Sequence, residues 1–251
     1  MESTGGVSRR GRKQFNDSLA PAEWSFSTYV RPFKSAGASS AGAAVTAKLA
    51  DSTANTVHAV EEVLWALFSG PAAYTGFTFT DQFTADTTDL NIDFSESNKS
   101  TLGTAEIFFV LGNANKKVYK LTGCVVNEAS LDFDIDGIAT INWSGMGSEI
   151  IDDTATGIPV ATVTEALTAT NNFIRNRLTT LTVIPTTQNP TGDGSNELEA
   201  SYALTLTGGN ITMSNNVTFI TPEEIGLVNT PIGHVTGTRS VSGSMTCYLS
   251  K

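Results

Sequence analysis

The chain has 251 residues, 40% of them hydrophobic and 16% charged, and a formal net charge of −10. At roughly 150 residues per domain this allows one large domain or two small ones, and it excludes a charge-dominated disordered chain. No apolar run approaches the ~18 residues of a membrane helix. The acidic balance argues against a tightly held duplex nucleic acid, because such binding depends on Lys and Arg neutralising phosphates.

The chain opens on a basic arm. Arg9, Arg10, Arg12 and Lys13 place four cations within five residues, and a polar stretch follows to Ala20. No apolar segment follows these cations, so no secretory signal is expected. The arm, over 1–20, reads as a flexible terminus that contacts another subunit, with a nucleic-acid-binding arm as the alternative.

The first patterned segment, EWSFSTYVRPF, sets Trp24, Phe26 and Thr28 against Ser25, Ser27 and Tyr29 and closes on Pro32. A period of two predicts a strand. Small and hydroxyl-rich residues from 34 to 55 predict a loop. The period then changes: Val57, Val60, Val63, Leu64, Leu67 and Phe68 follow helical spacing, with Asn55 or Thr56 before them and Gly70-Pro71 after. One short helix is expected over 57–68.

Strand-like segments follow at 76–83, 89–94, 104–111, 117–127, 129–136 and 138–144, with Asp136-Gly137 as a tight hairpin signal. In Leu131 to Asp136 the alternation is strict, so Asp132, Asp134 and Asp136 line one face and Leu131, Phe133 and Ile135 the other. Residues 149–161 are acidic and hydroxyl-rich with Gly157 and Pro159, and 151–170 is expected to be a linker. A second series of strands is predicted at 173–185, 198–207 and 210–221, and then along His234 to Tyr248. In the last, Ser240, Ser242, Ser244 and their neighbours of the same parity are polar, while Val235, Val241, Met245 and Cys247 form the dry parity. Leu-Thr-Gly occurs at 121–123 and again at 206–208, each at the head of a strand pair, which suggests an internal duplication.

Catalysis should leave converging nucleophiles, bases or metal ligands. Only His58 and His234 supply imidazoles, and His58 is placed on the helix with Glu61 and Glu62 at i+3 and i+4. One His and one Glu do not make a metal site. Asp132-x-Asp134-x-Asp136-Gly137 matches half of a calcium loop, but Trp143 stands where the bidentate Glu is needed. Trp143 to Gly147 lacks the leading glycine of a nucleophile elbow. Cys124 and Cys247 have no metal-like spacing and are expected to be free thiols. No catalytic, cofactor or metal residues are therefore expected, and no enzyme activity.

Taken in order, EWSFSTYVRPF, HAVEEVLWALFSG, SLDFDIDGIATINWSGMG, NNVTFITPEEIG and GTRSVSGSMTCYL resemble the major tail tube proteins of tailed bacteriophages. The resemblance implies a mainly β fold, a tail-tube-type β-sandwich or half-barrel with one short helix. In such a family each unit lends a sheet to the continuous inner β-barrel of a ring, and rings stack into a tube that conducts the genome. It divides the chain into the arm (1–20), a first tube-type domain (21–150), the linker (151–170) and a second β segment (171–251). If both β segments are tandem tube units, the second of them incomplete, three chains make a ring; otherwise six do. The expected partners are copies of the chain and other tail proteins: terminator, baseplate or tip, tape measure, and a sheath if the tail contracts. DNA is expected to pass without binding. The expected location is the tail of a virion assembled in the host bacterial cytoplasm, with no membrane insertion.

A lumen that conveys a polyanion should present acids and small hydroxyls. The candidate lumen-facing residues are Asp132, Asp134, Asp136, Ser240, Ser242 and Ser244, and the candidate inter-subunit arm is Arg9, Arg10, Arg12 and Lys13. The alternative is a β-sandwich binding module of adhesin or carbohydrate-binding type, which would use exposed aromatics such as Tyr74, Tyr202 and Tyr248.

Overall fold

A computed structural model describes residues 18–30, 32–34, 57–59, 61–70, 83–85, 90–92, 94, 99–100, 102–112, 117–153, 175–176, 180–184, 202–223 and 229–248. In chain order the elements are β1 (Ala22–Tyr29), β2 (Pro32–Lys34), β3 (Val57–Ala59), α1 (Glu62–Ser69), β4 (Phe83–Ala85), β5 (Leu90–Ile92), β6 (Ala105–Leu111) and β7 (Lys117–Asp134). They continue with β8 (Thr140–Gly147), β9 (Glu149–Asp153), β10 (Leu181–Val183), β11 (Tyr202–Ser214), β12 (Val217–Ile220), β13 (Gly233–Thr236) and β14 (Ser240–Tyr248). Apart from α1 every described element is a strand, and the mainly β fold with one short helix is observed.

The main sheet is antiparallel throughout and runs β1, β8, β7, β11, β14. Its organising element is β7. The first part of β7 pairs with β6 and β9, and its last part with β8 and β11. Two local features let one 18-residue strand serve both groups. Gly123 takes φ +58°, a left-handed conformation that glycine adopts without steric cost, and Ser148, between β8 and β9, donates its N–H to the Thr122 carbonyl there. The register then slips between Val126 and Glu128, so that Asn127 is bulged.

The core lies where α1 covers the dry face of this sheet. Trp65, Ala66, Leu67 and Phe68 are buried against Leu121, Cys124, Val126, Ala129, Ile141, Trp143 and Trp24. Trp65 meets Trp143 edge-on at 4.8 Å, and Phe68 stacks on Phe94 at 4.7 Å, both favoured aromatic geometries. Trp143 is fully buried and donates its indole N–H to the Thr28 hydroxyl at 2.8 Å. Gly145 is required here: a Cβ would stand 2.0 Å from the Val125 carbonyl oxygen and 2.5 Å from the Trp24 ring lying on it. Cys124 sits in this core as a free thiol whose pKa burial pushes up to about 11, and Cys247 is likewise free.

Several elements differ from the sequence expectations. The helix is Glu62–Ser69 instead of 57–68, and Val57–Ala59 pairs with Pro32–Lys34 as strand. His58 is therefore in β3, and Glu61 precedes the helix and is buried. The segments predicted at 117–127 and 129–136 are one strand. The first residues of the acidic stretch form β9, while 154–170 lies outside the described residues, as do 76–82 and residues 1–17 of the arm; its last part is held in place, Ser18 bridging to Asn229 and Leu19 donating its N–H to the Asn229 carbonyl at 2.8 Å. The ribbon predicted from His234 to Tyr248 is two strands. β13 pairs with β12, β14 pairs with β11, and Gly237 to Arg239 separates them.

Candidate lumenal face

Residues directly opposite one another in an antiparallel pair project from the same face. The registers therefore assemble the polar parity of five strands into rows. Ser25, Ser144, Glu128, Ser214 and Ser240 form one row. Ser27, Asn142, Ser130, Thr212 and Ser242 form the next, and Tyr29, Thr140, Asp132, Asn210 and Ser244 the third. Asp134, Gly208 and Thr246 begin a fourth.

The rows are stitched by side chains. Ser27 donates to Asn142 Oδ1 at 2.6 Å, and Asn142 Nδ2 donates to the Asp132 carboxylate at 2.7 Å. Ser130 and Thr212 share a hydrogen bond at 3.0 Å. Asn210 Oδ1 accepts from both the N–H and the hydroxyl of Ser244, at 3.1 and 3.0 Å. Each bond of this kind contributes about 1 kcal/mol net, and together they fix how the small polar groups are presented.

The electrostatics of the face are one-signed. Its described rows carry Glu128, Asp132 and Asp134, with Glu23 at the next position of β1, and no Lys or Arg. Basic side chains stand elsewhere. On the β6/β7/β9 part, Lys120 pairs with Glu106 at 3.2 Å, and Lys117 pairs with Asp152, whose hydrogen bond raises the Lys117 pKa. Arg239 is buried.

Five of the six residues singled out as lumen candidates thus share one face, although β7 and β14 each pair with β11 and not with each other. Asp132 and Ser244 belong to the same row through Asn210. Asp136 does not join them, because it lies in the bend that follows β7, where Asp134 accepts from the Gly137 N–H. Arg9, Arg10, Arg12 and Lys13 lie outside the described residues. The dry parity of β14 is a further difference. Val241 is 64% exposed and Met245 43%, so among the described residues nothing covers the face on which dryness was expected.

A family model described as phage tail tube protein matches residues 35–251. The tail tube protein pb6 of Escherichia phage T5 is 30% identical over 249 residues, covering 96% of this chain and 46% of pb6. The chain belongs to the phage tail tube protein family. It spans about half the length of the curated relative it matches.

Much of the polar face was not singled out from sequence: Ser25, Ser27, Glu128, Ser130, Thr140, Asn142, Ser144, Asn210, Thr212 and Ser214. Each obeys the same alternation as its strand, but only the inter-strand register shows that the strands turn the same side one way. A second set carried no signal at all. Arg239 donates from Nε to Asn215 Oδ1 at 2.9 Å and from Nη2 to the Ser69 carbonyl at 2.8 Å, and lies 4.6 Å over the Phe94 ring. Asn215 in turn donates to the Phe68 and Val126 carbonyls at 3.0 and 3.1 Å. These bonds satisfy the C-terminal carbonyls of α1 and tie the helix to the start of β14.

Proposed function

We propose that the chain is a structural subunit of a phage tail tube, whose five-stranded sheet turns its polar face to the bore. The observation that carries this reading is the continuous wet face, with three carboxylates in its rows and no cation among the described residues, backed by a continuous apolar face. Phosphates passing such a wall meet hydroxyls already engaged with their neighbours and carboxylates that repel, so the polyanion is neither held nor condensed. The side edges of the sheet, β1 and β14, each pair on one side only among the described residues, so each offers its outer edge to a further strand of the wall. Closing such edges removes unsatisfied backbone groups and the risk of disordered association.

Strand direction bears on the tandem-unit reading. Units related by rotation about a bore keep their strand directions, and a wall in which all neighbours are antiparallel needs an even number of strands per repeat. In the order β1, β8, β7, β11, β14 the first four satisfy this, and β14 runs as β1 does. β14 then stands as the first strand of a second repeat, with Ser240 and Ser242 in the rows of Ser25 and Ser27. Three chains make a ring if each supplies two such units, and six if each supplies one. The stacked rings would meet the other tail proteins at the ends of the tube, in a tail assembled in the host cytoplasm.

The test is charge reversal on the wet face. Tubes of the wild-type chain should not retain short duplex DNA at low salt. Ser130→Lys with Asp132→Lys should still assemble and should retain DNA in a manner lost as salt rises. Assembled variant tubes that ignore DNA would place this face away from the bore.

A further inference from the structure

At one end of the sheet, where β7 turns into β8, lies a cleft of about 470 Å³ lined by Phe133, Asp134, Asn176, Leu204, Thr207 and Tyr248, among others. Its polar lining is rich in acceptors, one of them unmatched. Asn176 is 7% exposed, donates its N–H to the Gly137 carbonyl at 3.1 Å and its Nδ2 to the Asp134 carboxylate at 3.3 Å, yet its Oδ1 has no donor among the described residues. Asn176 therefore stands behind Asp134 with more acceptor capacity than the described donors use, and the accessible polar groups of the cleft are the Asp134 carboxylate and the hydroxyls around it. Beside it the exposed Asp134 carboxylate supplies negative charge, and the Tyr248 hydroxyl and ring a polar tip on an apolar wall. This combination suits a guanidinium or ammonium group on an aliphatic stem. Arg175, which bridges to Ile138 on the turn, is not part of the lining.

The polarity of the sheet says where such a group would come from. β1 pairs with β8 from Ala22 opposite Gly147 to Tyr29 opposite Thr140, so the chain enters β1 at the end of the sheet away from the cleft. The two ends are roughly 26 Å apart, at about 3.3 Å per residue over β1. The four cations Arg9, Arg10, Arg12 and Lys13 precede that entry, with Lys13 five residues before Ser18, which bridges to Asn229, a reach of at most roughly 18 Å from that bridge. Strands of a barrel run along its axis, tilted, so side edges meet neighbours in a ring while strand ends meet the adjacent ring. A copy stacked head to tail on the entry end brings its acceptor-rich cleft to the basic arm, a heterologous contact that repeats into a filament.

We propose that the cleft at Asp134, Asn176 and Tyr248 is the socket for the basic arm, residues 9–13, of a second copy of this chain in the adjacent ring. The inference rests on the tube reading for the orientation of the two copies, but the socket can be tested apart from it. The receptor is the full chain carrying Arg9→Ala, Arg10→Ala, Arg12→Ala and Lys13→Ala, so that its own arm does not compete, and the probe is a fluorescein-labelled peptide of residues 6–16. Fluorescence anisotropy should show salt-dependent binding that weakens at least about tenfold with Asp134→Asn, the scale of one charge-assisted hydrogen bond. The amide of that variant keeps an Oδ1 to cap the turn, so the fold is spared. The same charge change at Asp132→Asn, outside the cleft, should leave binding within about twofold, which separates a socket from general attraction to an acidic chain. Absence of binding, or equal losses for the two variants, overturns the proposal. Electron microscopy of the chain with the four arm substitutions gives the separate reading: single rings without rods agree with a socket between rings. Rods as long as those of the wild type contradict it, and a wild type that forms neither sinks the tube reading while the peptide result still judges the socket.

Discussion

The dry face of the main sheet is finished at one side and unfinished at the other. Under α1, Ile141 and Trp143 of β8 are at most 1% exposed, whereas Val241 and Met245, of matching parity on β14, are 64% and 43% exposed. The two regions share one sheet, one alternation and one polar face, and differ in whether the described chain covers the apolar side. That difference separates folding from assembly. The β1/β8/β7 region holds the buried core, and on the reading proposed above the apolar surface of β14 and its edge, unpaired among the described residues, are kept for a neighbour in the tube.

Substitutions should split along this line. The largest loss is expected from Trp143→Ala, about 3–5 kcal/mol by chemical denaturation of the isolated chain, because the indole fills the centre of the core and holds the Thr28 hydroxyl. Arg239→Ala should come close, at about 3 kcal/mol, since it takes the guanidinium donors from the buried Asn215 Oδ1 and from the Ser69 carbonyl at the helix end. A loss under about 1 kcal/mol would mean that the two regions are not tied through this residue.

Val241→Asp is the complementary change. It should alter the stability of the isolated chain by less than about 0.5 kcal/mol, as for an exposed site, and should prevent ring formation as seen by negative-stain microscopy. A variant that both folds and assembles would show that β14 is not at a junction.

The smallest effect concerns His234, half-buried beside Phe219 at 5.9 Å. Desolvation lowers its pKa from 6.5 in the folded chain, so the unfolded chain binds the proton first. Stability should be unaffected by this group above about pH 7.5 and should decline as pH falls through 6.5 and below. Thermal melts between about pH 5 and 8 should show that slope reduced in His234→Phe.

How much of this was legible in the residues depended on period and distance. The alternation in β1, β7 and β14 was plain, because each wet position is a hydroxyl or a carboxylate, and the helix was plain from Val63, Leu64, Leu67 and Phe68. The start of that helix was misplaced, because Val57 and Val60 fit a helical stripe as well as a strand and only pairing with Pro32–Lys34 decides. The single 18-residue β7 was hidden by Asn127, a bulge that breaks the alternation in sequence and keeps the strand continuous in space. Likewise Gly237 and Arg239 did not interrupt the hydroxyl period, yet the chain leaves one sheet for another there. The union of Asp132 with Ser244 in one row could not be read at all, since it depends on β11 standing between two strands far apart in sequence.

Cryo-electron microscopy of assembled particles, averaged end-on to strand resolution, would show directly which face of the sheet lines the bore. The rows through Ser25, Ser27, Ser130, Asp132, Thr212, Ser242 and Ser244 should line the bore, with α1 on the outer side of the wall and a further strand hydrogen-bonded to the outer edge of β14. A bore lined by the parity of Ile141, Met213 and Val241, or a β14 with no neighbour, would contradict it.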